Sequence, residues 1–529
     1  MKRLLSTVTI AGLALTGLTA VAPAAVAAPP AATGSISWTA CDDPGLADAG
    51  AVCAGLAVPL DYAHPHGAKI TLALAMVRHT VPDSEFQGVM LVNPGGPGGS
   101  GLGLATLGQA VPNGVGDFYD WIGFDPRGVG SSSPSISCIP DYFAGPRPDY
   151  IPFTRAIEKE WLARSRSYAQ ACGADAGRLL EHMTTIDAAK DMDQIRKALG
   201  RRQINYYGFS YGTYLGQVYS TMFPNRVRRM VFDGTVDPTR VWYQANLDQD
   251  VAFEKTEKIF FGWVARYDDV YHLGTSEAAV EKRYYAEQDL LRKDPAGGVV
   301  GPDEWADIFL NAGYAQFLWP FVGSVFDAWA NARDVDTLVS TYEAVEGIGD
   351  DNLFAVYNSV QCTDAQWPPS YSTWRRDNWR VYAKAPFFTW GNVWFNAPCL
   401  FWPAPAHHPL SIDGSKVASL LMINETLDAA TPYPGSLEVR HRYPGARLIA
   451  EPGGTTHAGS LGGNACVDDR IADYLATGAL PDRRPGNRAD AICAPLPQPV
   501  PEDATVSTLS AGSSAGPAAT ARLEALLHR

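Results

Sequence analysis

The sequence predicts an α/β protein in which a mostly parallel sheet is flanked by helices and split by a largely helical insertion. Three observations support this prediction. Short apolar segments alternate with helix-like segments within residues 37–239. A stretch rich in Trp, Tyr and Phe follows over residues 240–409. Strand-like segments then return within residues 410–494. Short buried strands separated by helices are typical of a parallel sheet with both faces covered.

The first part of the predicted sheet domain contains five strand candidates. Each is a short apolar run, and they occupy residues 70–77, 88–92, 118–124, 204–207 and 227–232. A helix is predicted over residues 184–199, where apolar residues recur at helical spacing. Thr184 or Thr185 can cap its start, and Gly200 can end it. A second helix is predicted to follow residue 210 and to continue through Met222.

The insertion separates this part from a second set of strands. Residues 277–291 form its clearest helix, with Ser276 available as the cap. The second part of the sheet domain contains strand candidates at residues 417–423 and 446–450. The last segment, residues 495–529, is rich in Pro, Ala and Ser, and we expect it to be a disordered, low-complexity tail.

The N-terminal 28 residues resemble a secretory signal peptide. Lys2 and Arg3 precede an apolar run over residues 4–21, and small residues occupy 24–28. The alternative is a membrane anchor, but Thr and Gly dilute the run and no cationic flank follows it. We therefore expect a secreted, extracellular protein that is not membrane-bound after cleavage near Ala28. A formal net charge of −14 argues against nucleic acid as a partner.

The chain contains eight cysteines, and an even number in a secreted chain favours disulfides. Pairing between sequence neighbours is our prediction, although the sequence does not fix connectivity and buried free thiols are the alternative. The predicted pairs are Cys41–Cys53, Cys138–Cys172, Cys362–Cys399 and Cys466–Cys493. No Cys-x-x-Cys motif occurs, so no zinc site is expected, and no other metal or organic cofactor is needed.

A Gly-x-Ser-x-Gly motif occurs twice, at residues 208–212 and 512–516. The second match lies in the low-complexity tail, with no strand before it. Ser210, in the first match, lies between a predicted strand and a predicted helix. That context is the one in which a sharp turn exposes a nucleophilic serine above a sheet. We therefore predict that Ser210 is a nucleophile.

A serine hydroxyl needs a base, and the base needs a carboxylate to orient it. Of ten histidines, His457 follows a strand candidate in a glycine-rich loop that leaves the ring free to reach the serine. Asp428 follows the preceding strand and completes the chain order Ser, Asp, His. Asp233 and Asp237, which follow the strand after the serine helix, remain alternative acids.

The loop NPGGPGGSG, residues 93–101, follows the second strand candidate. Catalysis at a carbonyl needs backbone N–H donors for the developing oxyanion. We predict that Tyr211 supplies one N–H and that Gly95 or Gly96 supplies the other. The alternative is a phosphate-binding loop, but the Gly-Lys pair of that motif is missing.

These motifs, together with ETLDAATP around Asp428 and the His457 loop, resemble the secreted tripeptidyl aminopeptidases of actinomycetes. That family belongs with the prolyl-aminopeptidase-like α/β hydrolases, and the resemblance runs over residues 38–493. It implies an α/β-hydrolase fold with a helical cap, and a serine exopeptidase that removes tripeptides from free N-termini. It also implies the roles given above for Ser210, Asp428 and His457. One departure is Asn93, where the wider group often has His, and this leaves the oxyanion donor open.

An exopeptidase of this kind must hold the substrate ammonium at a fixed distance from the serine. A carboxylate facing the cleft can do so through a charge-assisted hydrogen bond. Asp364, beside a predicted disulfide, and Glu425, three residues before Asp428, are our candidates. For each the alternative is a surface carboxylate or a structural cap.

Peptide or protein N-termini are thus the expected substrates. Two other functions remain open: a secreted carboxylesterase or lipase with the same triad, and a catalytically inactive hydrolase fold that serves as a binding protein.

Overall fold

A ten-stranded sheet forms the centre of the computed structural model, which describes residues 36–501. Its strands lie in the order β1-β2-β3-β5-β4-β6-β7-β8-β9-β10. Pairing is antiparallel from β1 through β3 to β5 and parallel for the remaining neighbours. The strands are β1 Thr39–Ala40, β2 Val52–Pro59, β3 Lys69–Val77, β4 Val89–Asn93, β5 Asp120–Phe124, β6 Ile204–Phe209, β7 Val227–Asp233, β8 Leu420–Glu425, β9 Ala446–Glu451 and β10 Ala491–Ile492.

Helices cover the sheet and form a continuous block between β7 and β8. The α-helices are α1 Pro44–Asp48, α2 Arg155–Ala176, α3 Thr185–Ala198, α4 Tyr211–Met222, α5 Tyr243–Arg266, α6 Asp268–Tyr271, α7 Glu277–Lys293, α8 Pro302–Tyr314, α9 Trp319–Ala332, α10 Val335–Glu346, α11 Asn352–Asp364, α12 Tyr371–Tyr382, α13 Thr389–Asn396, α14 Pro434–Arg442 and α15 Ala465–Thr477. None of these helices, within the described residues, is long and apolar enough to cross a bilayer.

Short 3-10 helices fill several of the connections, at Leu102–Ala110, Pro112–Phe118, Gly177–His182, Pro224–Arg226, Gln316–Leu318 and Ala397–Leu400.

The central strands are buried on both faces, which explains their uninterrupted apolar runs. In β4, Met90 and Val92 join the core beneath α15, whereas Leu91 joins the larger core on the opposite face. Both predicted layers of helices are therefore present, and the α/β prediction with a helical region after the first core segment is confirmed. Strands β1, β2 and β10 were not predicted.

The block from α5 to α13, called the cap below, has an aromatic core of its own. Tyr284, Trp305, Phe309 and Phe326 are buried against one another with ring centroids 4.5–6.5 Å apart. Aromatic pairs at such distances add to the free energy gained from burial alone. Most of the aromatic residues that marked this region in the sequence therefore build the cap and do not face a ligand.

Four disulfides link the cysteines, and no cysteine is free. The bonds are Cys41–Cys53, Cys138–Cys172, Cys362–Cys399 and Cys466–Cys493, which are the pairs predicted from sequence adjacency. The predicted signal peptide, residues 1–28, lies outside the described residues. Of the predicted tail, the described part makes contacts with the cap: Trp263 donates to the carbonyl of Pro499, and Gln316 to the carbonyl of Leu496.

Candidate active site

Ser210 occupies a sharp turn between β6 and α4. Its backbone has φ 53° and ψ −127°, a conformation that costs free energy for a non-glycine residue. A Cβ on Gly208 would lie 2.5 Å from the carbonyl oxygen of Gly212. A Cβ on Gly212 would lie 2.6 Å from the carbonyl oxygen of Asn93. Neither position can therefore carry a side chain, because another stretch of backbone lies too close to each glycine.

Asp428 and His457 lie in contact beyond the carboxyl ends of β8 and β9. Nδ1 of His457 is 2.8 Å from Oδ2 of Asp428, and both side chains are fully buried. Thr431 donates its hydroxyl to the same Oδ2 at 2.7 Å and its backbone N–H to Oδ1 at 2.9 Å. Nε2 of His457 is buried and has no hydrogen-bond partner among the described residues. The imidazole is therefore oriented through Nδ1 and keeps Nε2 available for a proton.

The sheet register brings this pair to the serine. Phe209 pairs with Asp233, Asp233 with Ile423, and Ile423 with Ile449, so β6, β7, β8 and β9 end at one edge. Gly234, directly after β7, is packed against the imidazole, because a Cβ there would lie 2.9 Å from Cε1 of His457. The three predicted triad residues therefore share one edge of the sheet.

The two alternative acids are engaged elsewhere. Asp233 accepts hydrogen bonds from the backbone N–H of Ser460 at 2.8 Å and from its hydroxyl at 2.5 Å. Asp237 accepts from the backbone N–H and hydroxyl of Thr239. Of the three candidates, Asp428 is the one whose carboxylate contacts the imidazole.

The two predicted oxyanion loops meet at Ser210. A Cβ on Gly95 would lie 2.8 Å from Cβ of Ser210 and 3.0 Å from the backbone nitrogen of Tyr211. The N–H of Gly95 already donates to Oδ1 of Asn93 at 3.1 Å. Gly96 and Tyr211 line the same cavity as Ser210, and within residues 36–501 their N–H groups have no acceptor. This geometry favours Gly96 over Gly95 as the second backbone N–H donor, beside Tyr211, for an oxyanion.

The His457 loop is held by hydrogen bonds to its backbone. Thr456 donates its N–H to Oε2 of Glu425 at 2.6 Å, and His457 donates its N–H to the carbonyl of Tyr314, in the cap, at 2.7 Å. Burial, together with the negative charge of Glu451, raises the pKa of Glu425 to about 9. Glu425, a predicted ammonium ligand, thus lies beneath this loop and does not line the cavity that contains Ser210.

Asp364, the other predicted ammonium ligand, also lies outside that cavity. It accepts from the backbone N–H of Thr185 at 2.7 Å and from its hydroxyl at 2.5 Å. Burial raises the pKa of Asp364 to about 7. Since the hydroxyl of Thr185 also bonds to the hydroxyl of Tyr211, Asp364 stabilises the start of α3 and the serine turn.

The cavity has a volume of about 470 Å³ and lies between the sheet edge and the cap. Much of its cap wall is apolar, including Val251, Leu310, Leu353, Phe388 and Phe395. Its lining also contains four carboxylates: Asp237, named above as an alternative acid, and three that the sequence did not single out, namely Asp248, Asp307 and Glu346. A largely apolar pocket with a few polar groups is typical of a small-ligand site.

Asp307 and Glu346 belong to a cluster around one buried cation. Arg147 donates to Glu304 at 2.8 Å and also donates to Asp307. Burial raises the pKa of Asp307 and raises that of Glu346 well above its usual range, and the carboxylates repel one another. Glu346 is half-buried, and within the described residues it makes no hydrogen bond or ion pair. Two carboxylates, Glu304 and Asp307, thus contact the guanidinium, and Glu346 feels its charge without contacting it.

Similarity to known proteins agrees with this geometry. A family described as "alpha/beta hydrolase fold" matches residues 88–340, and one described as "TAP-like protein" matches residues 385–491. A curated tripeptidyl aminopeptidase of Streptomyces coelicolor is 42% identical over 493 residues, which cover 90% of this chain and 89% of the relative. The chain belongs to the tripeptidyl aminopeptidase family of α/β hydrolases. It is therefore a serine hydrolase of the peptidase type.

Two further relatives show the range of names within this family. Serine protease Hip1 of Mycobacterium tuberculosis is 30% identical over 84% of this chain and 89% of the relative. Carboxylesterase B of the same organism is 32% identical over 84% of this chain and 88% of the relative.

The sequence contained one signal for the acidic cluster. Asp303, Glu304 and Asp307 fall within the apolar helix α8, where ionisable residues are expected on the exposed face. All three are instead buried. Carboxylates one turn apart within an otherwise apolar helical pattern therefore indicate buried groups that need a cation from another segment.

Proposed function

We propose that this protein is a secreted serine exopeptidase that releases tripeptides from free N-termini through Ser210, His457 and Asp428. The observation that carries the proposal is the cavity. Its lining includes Ser210 at the sheet edge and the acidic cluster on the cap. The lining has four carboxyl groups against two cationic side chains, Arg240 and Lys384, and this excess of carboxyl groups suits a substrate with a cationic end.

The proposed reaction proceeds in two steps. His457 takes the proton of the Ser210 hydroxyl as its oxygen attacks the scissile carbonyl, and the N–H groups of Tyr211 and Gly96 stabilise the oxyanion. His457 then gives the proton to the departing amine, which leaves an acyl-enzyme. Water, deprotonated by the same imidazole, releases the peptide acid and restores the serine. Asp428 holds the ring orientation throughout.

The acidic cluster supports recognition of an ammonium group. Moving an unpaired charge from water into a protein interior is costly, so a buried carboxyl without a cation tends to remain protonated. Burial is the largest cause of the raised pKa values of Asp307 and Glu346, and the charge of Arg147 offsets it only in part. A substrate ammonium beside them supplies the missing cation, whereas an acetylated N-terminus does not.

Secretion is supported by two features. The N-terminal 28 residues resemble a cleaved signal, and all eight cysteines are paired, which is typical of oxidising compartments.

An esterase is the second candidate function, because one relative carries the name Carboxylesterase B and the same triad cleaves esters. The test compares a tripeptide chromogenic amide that has a free amine with its N-acetylated form and with a short acyl ester. Ser210→Ala is the control. We expect rapid cleavage of the free peptide alone. Preference for the ester, or indifference to acetylation, contradicts the exopeptidase proposal.

An inactive binding protein predicts a different result. A fluorophosphonate probe labels an active serine hydrolase, and labelling should disappear in Ser210→Ala. A folded wild-type protein that resists the probe would favour the binding function.

A further inference from the structure

Helix α8 forms one wall of the cavity along its length. Asp307, Leu310 and Tyr314 line the cavity at spacings of three and four residues, which place them on one helical face. The two ends of this face differ in chemistry. Asp307 belongs to the acidic cluster, and Tyr314 lies at the imidazole.

The Tyr314 end is fixed to the candidate catalytic base. The N–H of His457 donates to the carbonyl of Tyr314 at 2.7 Å, and the two rings have centroids 6.0 Å apart. The position of the last turn of α8 is therefore tied to the position of the reacting atoms.

The Asp307 end is fixed to the sheet domain. Glu304 accepts hydrogen bonds from the backbone N–H of Arg147 at 3.0 Å and from its side chain at 2.8 Å. Asp303 accepts from the backbone N–H of Tyr150 at 2.7 Å, and the Tyr150 hydroxyl donates to Asp307 at 3.0 Å. Because both ends are held, the distance between Asp307 and the imidazole is set by the helix itself.

The helical rise from Asp307 to Tyr314 corresponds to three residues of substrate. Seven residues separate Asp307 from Tyr314, and at about 1.5 Å per residue the helix rises about 10 Å between them. An extended peptide spans at most about 3.3–3.6 Å per residue. Two residues therefore reach about 7 Å, three reach about 10 Å and four reach about 14 Å.

We propose that α8 sets the number of residues released at three, with Asp307 and Glu346 binding the substrate ammonium two helical turns from the scissile carbonyl. This inference rests on the exopeptidase function proposed above and adds the residues that determine substrate length. A shorter peptide leaves the ammonium away from the carboxylates. A longer one has to bend or displace its carbonyl from Ser210.

The test measures kcat/KM for a series of free-amine peptide amides in which one, two, three or four residues precede the chromogenic group. We expect the wild-type protein to favour three residues by at least tenfold over two and four. In Glu346→Gln we expect kcat/KM for the three-residue substrate to fall about a hundredfold and the four lengths to fall within a few-fold of one another. Asp307→Asn should give the same flattening.

Two measurements separate this effect from misfolding. Fluorophosphonate labelling of Ser210 reports whether Glu346→Gln is folded with its triad assembled, because the probe carries no ammonium. Glu343→Gln, an exposed carboxyl one turn away on α10, is the matched control and should keep the wild-type length preference.

The outcomes distinguish the two proposals. If wild type cleaves no free-amine peptide, the exopeptidase function fails and the inference fails with it. If wild type prefers three residues but both carboxyl variants keep that preference, the function stands and the role of α8 is refuted. A wild-type preference for two or four residues would also refute the length argument.

Discussion

Replacing Glu425 with Gln tests whether this carboxyl supports the His457 loop or binds substrate. Its Oε2 accepts the N–H of Thr456 at 2.6 Å, and a Cβ on Gly454 would lie 2.3 Å from the same oxygen. Glutamine has the same shape, and its carbonyl oxygen can accept the same hydrogen bond. The substitution therefore removes the ionisation of the group and leaves the packing of the loop in place.

The magnitude follows from the two pKa values. The pKa of Glu425 is about 9 in the folded protein, against an ordinary value of 4.5. Below pH 4.5 the carboxyl is protonated in both states and ionisation has no effect on stability. As the pH rises from 4.5 to 9, the unfolded chain loses this proton and the folded protein keeps it, so stability decreases. At about 1.4 kcal/mol per pH unit, the loss at pH 7 is up to about 3 kcal/mol.

Thermal unfolding of wild type and Glu425→Gln, followed by circular dichroism from pH 5 to pH 8, measures this effect. We expect the variant to gain stability over wild type progressively as the pH rises. Glu160→Gln, at an exposed position of α2, should show a constant difference. A Glu425→Gln difference that does not change with pH would refute the reasoning. A large rise in KM for free-amine peptides at unchanged stability would return Glu425 to the role of ammonium ligand.

Three further predictions concern the turn, the triad and the disulfides. Asp428→Asn should lower kcat by about 10³–10⁴-fold with an unchanged circular dichroism spectrum, because the amide cannot hold the imidazole tautomer; a loss below tenfold would contradict this role. Gly212→Ala should destabilise the protein by about 1–3 kcal/mol in thermal unfolding and reduce labelling of the serine, because its Cβ meets the carbonyl of Asn93; wild-type behaviour would show that the turn can relax. Replacing Cys466 and Cys493 together with Ser opens a loop closed over 27 residues and should cost about 3 kcal/mol in denaturant unfolding, whereas an equal midpoint would show that this bond adds no stability.

The parts of the site that the sequence predicted are those that depend on local chemistry. The turn at Ser210 needs a strand, two glycines and a helix within a dozen residues, and all are visible in the sequence. His457 and Asp428 follow strands whose order in the sheet is a property of the α/β-hydrolase fold. The predicted strands therefore place His457 and Asp428 at one edge of the sheet, although the distance between the two side chains cannot be read from the sequence.

The parts that it missed depend on which elements pack together. Asp364 and Glu425 were chosen for their neighbours in sequence, but both face buried backbone donors from other segments. Asp307 and Glu346 were missed because their relation to Arg147 joins three segments that are far apart in the chain. Burial of a carboxylate beside a distant cation is a tertiary property, and the local pattern of α8 indicates at most that its carboxylates need a partner.

The insertion of the cap between neighbouring strands has a consequence for how the chain folds. Asp233 in β7 pairs with Ile423 in β8, so the centre of the sheet closes only after the intervening helices have been synthesised and packed. Such a non-local pairing costs loop-closure entropy and slows folding. A nascent chain that ends before β8 exposes the open edge of β7, which is a template for aggregation. It also lacks Asp428 and His457, so under the proposed mechanism hydrolytic activity cannot arise before the chain is nearly complete.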